Sequence, residues 1–500
     1  MTQQPRRLLL INPRITSNAR FPLAVMQLAT ALKDQYLTRI IDGNLDRDFV
    51  AMAVAAQREQ GFDAVGISVM GGPQLPAAIA VSKALREVAP DLPIIWGGYF
   101  PTICPDATLN SAFVDYALRG QGEDALTELL TAHFNGASPE ALAAVEGLSW
   151  RQHGGAHVHN RDRTFSKGGL QHAIDYDSVD QPGRYLSATY LGRRTTGYQA
   201  ALGCRYRCTF CGVAAMFKGK TALPTAERLE LDLRYLKTRF GADSVQFYDH
   251  NFFDREVDMV PLLEVLARLE MPWWCYARAD ALLGLSESSW QLVRRSRLRM
   301  AYIGAESPSD SVLHDMKKGT SADQTLAVVE KCRENGVVPE LSFMLAPPQD
   351  PEGETERTFE FIRRIKRAHP ATEIMLHINT PLPPRRHAIN GMKPISLGAP
   401  LGMQFPETAE AWAAPEWVDY WCHKDAPWVS EKLRQRINDF RAVLGCRFPT
   451  VTDVRTPAWQ KTALRSFASW RYGLRRYDKP WELELLRRAV RLWDPQLKGL

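Results

Sequence analysis

No stretch of this sequence approaches the ~18 consecutive apolar residues that a membrane-spanning helix requires. The opening MTQQPRRLLLINP carries only the short apolar run LLLI, too brief for a signal peptide, and reads as a buried strand. With neither a span nor an export signal, the expected compartment is the reducing cytoplasm, where structural disulfides are rare. Cysteine is scarce, 8 in 500 residues, so its members are expected to be metal-bound, catalytic or free rather than paired. No repeat of solenoid period and no low-complexity tract occurs, which excludes a repeat array and a largely disordered chain. Excess charge is also small. The net charge is +6, and residues 451–500 alone hold 11 Lys/Arg against 5 Asp/Glu, the whole of the excess. A general nucleic-acid binder is thereby disfavoured; the basic tail suits an anionic ligand or a membrane surface.

What is present is an ordinary globular composition, 45% apolar and 24% charged, long enough for several cores. Residues 1–140 alternate short apolar runs (LLLINP, DAVGISVM, LPIIWGG, VDYALRG) with helical patterns such as FPLAVMQLATALKD. Continuous apolar strands alternating with helices predict a parallel, doubly wound α/β domain that binds ligand beyond the carboxyl ends of its strands. Small and glycine-rich stretches stand at those ends: Ser68 to Gly72, Gly97-Gly98 and Gly120 to Gly122. Residues 141–190 read as a polar connector with a hairpin turning at Gly154-Gly155. A metal site at its histidines His153, His157 and His159 is conceivable, but exposed hairpin histidines with no acidic or cysteine partner read as solvated. Residues 191–390 resume the alternation with six strand candidates, TGYQAAL, SVQFYD, WWCYARA, RMAYIGAE, ELSFMLA and EIMLHINT. They predict a partial (β/α)6 barrel with chemistry at the strand C-termini. Residues 391–500 are expected to be helical and aromatic-rich.

Three cysteines cluster as Cys204-x3-Cys208-x2-Cys211, directly after the first barrel strand. A zinc site would want a fourth Cys or His close by, and the nearest histidines, His172 and His250, are distant in sequence. Cys104, Cys275, Cys332, Cys422 and Cys446 are scattered and read as buried thiols. Three thiolates can hold three irons of a four-iron cube and leave one iron open for chemistry.

This triplet, with Phe210 just before the last cysteine, resembles the signature of the radical S-adenosylmethionine (SAM) superfamily. The resemblance implies a [4Fe–4S] cluster on Cys204, Cys208 and Cys211, whose open iron chelates SAM, and an aromatic Phe210 against its adenine. VQFYDHNFFDR, WWCYARAD and YIGAESPSDSVLHDMKKGTS resemble later barrel segments of that family. On that resemblance Asp249, Arg278 and Glu306 become SAM-contact candidates, although the family's GGE-like motif is absent. Arg278 and Glu306 could equally form a structural ion pair.

WGGYFPT followed by VDYALRGQGEDALTELL resembles the cobalamin-binding domains of B12-dependent radical SAM proteins. The resemblance implies cobalamin contacts at Ser68, Gly97, Gly98, Thr102, Gly120, Gly122 and Glu123. Residues 1–132 contain no histidine, so a histidine below the cobalt is not expected from this domain. The family implies a methyltransferase acting on an unactivated carbon of a bulky small molecule through a 5′-deoxyadenosyl radical and methylcobalamin. A non-methylating cyclase or oxidoreductase is the alternative. A lipid, terpenoid, tetrapyrrole or natural-product intermediate is the expected substrate, and flavodoxin or ferredoxin the expected electron donor. The C-terminal region is expected to cap the substrate.

Overall fold

The computed structural model describes residues 5–15, 19–166, 173–383 and 402–490. The amino-terminal unit is one seven-stranded sheet. Its strands are β1 (Arg7–Asn12), β2 (Leu37–Asp42), β3 (Ala64–Ser68), β4 (Ile94–Gly97), β5 (Tyr116–Leu118), β6 (Leu148–Arg151) and β7 (His157–His159). They lie in the order β2-β1-β3-β4-β5-β6-β7. The first five strands pair in parallel, and β6 and β7 add antiparallel. Leu8 to Ile11 on the interior strand β1 are each at most 1% exposed. Successive side chains face opposite sides of a strand, so a run buried throughout requires both faces to be covered. Each such side chain contributes roughly 1.5–3 kcal/mol of burial energy. β2, with the sequence LTRIID, was not among the expected strands, because its polar half lies on the sheet's outer edge.

The hairpin expected in the connector forms at Gly154 and Gly155, both with positive φ. Its strands, however, extend the first sheet through β5–β6 pairing rather than standing in a linker. Burying β6 against the domain drives this: Leu148, Ser149 and Trp150 are buried.

The second unit starts at β8 (Thr195–Tyr198). A small antiparallel ribbon follows, β9 (Leu202–Gly203) with β10 (Thr221–Ala222), then β11 (Ser244–Phe247), β12 (Trp273–Ala277), β13 (Leu298–Glu306), β14 (Val338–Leu345) and β15 (Glu373–Ile378). Six strands pair in parallel in the order β15-β14-β13-β12-β11-β8. The end strands β15 and β8 do not pair with each other, so the barrel is partial, as the alternation predicted. Leu191, Trp274 and Met300 form a separate small cluster with Tyr190, Tyr248, Tyr276 and Tyr302 packed on it. Rings of this size each bury a large apolar area while keeping a polar tip for a hydrogen bond.

The described carboxyl-terminal residues are helical: Pro415–Trp421, Glu431–Arg447, Ala458–Gly473 and Trp481–Val490 are the longer helices. Phe359 and Phe440 stack at 3.7 Å and fix the second of these on the barrel's outer helix Pro351–Ala368. The region also reaches the first unit. Trp421 lies so close to Gly71 that a Cβ there would overlap its indole, and Trp412 packs on Phe100. One segment thus seals the carboxyl edges of both units.

Candidate functional site

Between β8 and the helix Gly212–Phe217 the chain runs through the three clustered cysteines. Their loop is tied down from both sides. Thr209 N–H donates to Met316 O at 2.9 Å, and Cys211 N–H donates to Cys208 O at 3.2 Å. Cys204, Cys208 and Cys211 are free thiols. They do not meet the geometry of a single-ion site. Among the described residues, the one group of three or more ligand atoms lying within 4.8 Å of one another lies elsewhere. Ligands of one zinc crowd together, whereas the cysteines of a cube bind different irons. The donor set therefore fits a [4Fe–4S] cluster. Of the two histidines noted from sequence, His172 lies outside the described residues. His250 packs against Phe217 at 5.4 Å and is held neutral, its pKa pushed down to about 4 by burial.

Arg278, at the end of β12, faces this loop. Its Nη1 stands 3.7 Å from Cys208 Sγ, and its guanidinium lies 3.6 Å over the Tyr206 ring. Its Nε and Nη2 grip Asp280 at 2.9 and 3.0 Å. A bidentate carboxylate of this kind orients the fork strongly. Burial raises the Cys204 and Cys211 thiol pKa values, while Lys318 acts on both in the opposite direction, favouring the thiolate a metal needs.

Glu306 ends β13 with φ of 61°, in the left-handed region, next to a register shift. Its Oε1 accepts from Lys318 Nζ at 2.8 Å, both side chains being buried. Gly304 is required for this pair, because a Cβ there would overlap both Glu306 Oε1 and Lys318 Nζ. Lys318 Nζ also lies 5.8 Å from the Phe210 ring. Arg278 and Glu306 thus do not pair with each other, as the simpler sequence reading allowed; each has its own partner. Asp249 is fully buried just after β11. It accepts from Ala201 N–H at 2.5 Å and from Ala200, which anchors the start of the cysteine loop. Burial pushes its carboxyl up to about 8.

At the carboxyl edge of the first sheet the expected cobalamin contacts divide into two kinds. A Cβ placed on Gly97 would meet nothing within 4 Å, and one on Gly120 would meet only Met216 O at 3.7 Å. These backbones are open to close approach by a ligand. Gly98 and Gly122 are glycine for packing: a Cβ would meet the Val69 backbone at 3.1 Å and Leu28 at 3.2 Å. Thr102 is buried. It donates to Gly98 O at 2.6 Å and accepts from Gly120 N–H at 3.0 Å, linking two glycine segments. Ser68 closes β3 beside Gly98, and Glu123 opens the helix that follows Gly122. The open glycine backbones fit a flat ligand on this edge.

Sequence reasoning missed several residues that join the two edges. Tyr99, directly after Gly98, accepts from Gly212 N–H and feels the Cys211 charge. Gly212 must be glycine, since a Cβ would overlap the Tyr99 ring. Lys318, Tyr206 and Asp280 were also missed, although the Lys-Lys-Gly of DMKKGTS was visible. His377 and His423 meet where the carboxyl-terminal region crosses β15, with rings 6.2 Å apart, both pushed down to about 4 by burial. Tyr302 Oη lies 3.3 Å from His377 Nε2. No local pattern marks a histidine 46 residues beyond its partner.

Comparison with known proteins agrees with this layout. The B12 binding domain family matches residues 19–130, and the Radical SAM superfamily matches residues 198–362. An uncharacterized methyltransferase of Pyrococcus horikoshii is 23% identical over 70% of this chain and 75% of its own. The anaerobic magnesium-protoporphyrin IX monomethyl ester cyclase of Rubrivivax gelatinosus is 22% identical over 60% of this chain, which spans only 54% of that protein. Among solved structures, the radical S-adenosylmethionine methyltransferase TsrM from Kitasatospora setae, with cobalamin and [4Fe-4S] cluster bound, superposes with a TM-score of 0.65. It is 18% identical, covering 97% of this chain and 99% of its own, and so shares the fold. The chain belongs to the B12-binding-domain-containing radical SAM proteins, whose cofactors are cobalamin, S-adenosylmethionine and a [4Fe–4S] cluster.

Proposed function

We propose that this chain is a cobalamin-dependent radical SAM methyltransferase acting on an unactivated carbon of a bulky, partly apolar small molecule. The cobalamin-binding domain is assigned to residues 1–140 with the 141–160 hairpin joined to its sheet, followed by a connector to 190, the radical SAM barrel (191–390) and the capping region (391–500). The observation that carries the reading is the meeting of the two cofactor edges. Tyr99, beside the open Gly97, hydrogen-bonds Gly212 next to Cys211, and Gly120 faces Met216 of the same helix. When bound, SAM and the cluster supply a hydrogen-abstracting carbon radical and cobalamin supplies the methyl group.

The chain's own residues have separable tasks. Cys204, Cys208 and Cys211 hold the cluster. Arg278, fixed by Asp280, orients the Cys208 side of the loop. Glu306, Lys318 and Phe210 form the wall against which SAM is held. Asp249 keeps the loop's root in place. Aromatic side chains at the barrel interior, and Trp421 over the first sheet's edge at Gly71 and Tyr99, exclude water, which protects a radical from quenching. Flavodoxin or ferredoxin would donate the electron, and a reducing cytoplasm suits so labile a cluster.

The cap adds a second surface. Trp459, Phe467, Trp470 and Leu474 are all at least half exposed on the helix Ala458–Gly473 and just beyond it. At this spacing they form one stripe, with the exposed Arg475 and Arg476 just past the helix end. Such a face supports contact with an anionic membrane surface, from which an apolar substrate could be drawn. A cyclase remains the second reading, favoured by the similarity to the magnesium-protoporphyrin cyclase. Product analysis separates them. Methyl transfer yields 5′-deoxyadenosine and S-adenosylhomocysteine coupled to turnover; cyclisation yields no coupled S-adenosylhomocysteine. Cys208→Ala should abolish SAM cleavage, and undiminished deoxyadenosine from that variant would refute the radical SAM reading.

A further inference from the structure

We infer that Asp106, His157 and His159 form a binding site for a divalent transition metal of the zinc class, separate from the cofactor edges. From the sequence these histidines read as solvated; the fold gives both of them an acidic partner. His157 and His159 alternate along β7 and so project from the same face of the strand. Asp106 comes from the helix Pro105–Leu109. His157 Nδ1 lies 3.1 Å and His159 Nε2 3.0 Å from Asp106 Oδ1. All three ligand atoms lie within 4.8 Å of one another. A tetrahedral zinc with bonds of roughly 2.0–2.2 Å separates neighbouring ligand atoms by roughly 3.3 Å, so only a small adjustment is needed.

The surroundings are built as a metal site's are. His159 Nδ1 is 2.8 Å from the buried Ser149 Oγ, which fixes the ring and leaves Nε2 toward Asp106. Metal-ligating histidines characteristically carry such an outer hydrogen bond. Arg151, on β6, donates to the carbonyls of Leu109 and Val114 and holds the Asp106 helix against the hairpin. Two imidazoles and one carboxylate suit zinc or its first-row neighbours, not calcium or magnesium, which prefer all-oxygen shells. β7 is the last strand of its sheet, so the half-buried site is reachable from solvent.

The site also has a structural consequence. Just beyond the Asp106 helix, Asn110 donates to Glu407 O at 2.7 Å and Ser111 to Glu410 Oε2 at 2.6 Å. A metal that pins this helix to β7 would therefore firm the docking of the carboxyl-terminal region on the first sheet.

The test is zinc content by mass spectrometry on the full chain purified without oxygen, alongside His157→Gln, His159→Gln, Ser149→Ala and Cys208→Ser. Zinc should bind at about one equivalent, disappear from both histidine variants, persist in Cys208→Ser, and weaken by ~10-fold in Ser149→Ala. Chelator-stripped wild type should regain its metal and melt at a higher temperature on adding zinc. Cobalt(II) in place of zinc should give visible absorption bands that the histidine variants lack. Zinc content unchanged in both histidine variants, or lost with Cys208→Ser, would overturn the assignment. So would a stripped wild type that neither rebinds zinc nor shifts its melting point, a measurement that needs no variant to fold.

Discussion

Replacing Glu306 by Gln would leave the Lys318 ammonium in place but remove the carboxylate 2.8 Å away. Both side chains are at most 7% exposed, so water cannot take over the charge. Removing one partner of a buried pair costs about 3–5 kcal/mol, because the remaining charge stays desolvated and unpaired. At roughly 2 °C per kcal/mol for a domain of this size, the cluster-bearing half should lose roughly 6 °C or more of melting temperature. The assay is thermal denaturation without oxygen, followed by loss of cluster absorbance. The double variant Glu306→Gln/Lys318→Met should recover most of the loss, since an uncharged pair of similar volume carries no desolvation penalty. Gly304→Ala should resemble Glu306→Gln, because its methyl group takes the space the pair occupies. A shift below ~2 °C in Glu306→Gln, or a double variant as unstable as the single, would refute this account of the pair.

Asp249 makes stability depend on pH in a stated direction. Its folded pKa, about 8, lies above the unfolded value of ~3.9. The folded chain therefore keeps a proton that the unfolded chain releases, and this group's contribution is lost as pH rises from ~4 through about 8. Asp249→Asn should gain stability relative to wild type across that interval, by at most ~6 kcal/mol; a difference constant with pH would refute it. Gly97→Ala should leave the melting temperature nearly unchanged, since nothing lies within 4 Å of the new methyl, while corrinoid retention falls ~10-fold or more. Equal retention would remove Gly97 from the cobalamin edge. Wild type should sediment with anionic vesicles, less so as salt is raised, and Trp459→Ser with Trp470→Ser should weaken that sedimentation; sedimentation equal to wild type would separate the stripe from any membrane.

The parallel strands of both units were readable because buried runs such as LLLI and SVQF have no other stable solution than a sheet covered on both faces. The cysteine triplet was readable because its members are adjacent in sequence. β2 escaped because half of LTRIID is polar at an edge, and the hairpin's membership in the first sheet escaped because pairing between β5 and β6 is a tertiary choice. The same applies to ion-pair partners. Arg278 and Glu306 were each picked out, but that they pair with Asp280 and Lys318 rather than with one another is settled only by the packed barrel. Asp249, read as a cofactor contact, also accepts from the Ala201 N–H and so fastens the loop after β8, a pairing no local pattern shows.

The sequence by itself determined the two α/β units, their order, the close grouping of Cys204, Cys208 and Cys211 and the glycine-marked edge. Those properties follow from periodicity and spacing, which are local. Only the tertiary structure decided that Tyr99 meets Gly212, that Trp421 covers Gly71, that His423 meets His377, and that Asp106 joins two hairpin histidines. Each of these unites residues far apart in the chain, and the burial energy that brings them together is a property of the whole packed core rather than of any segment.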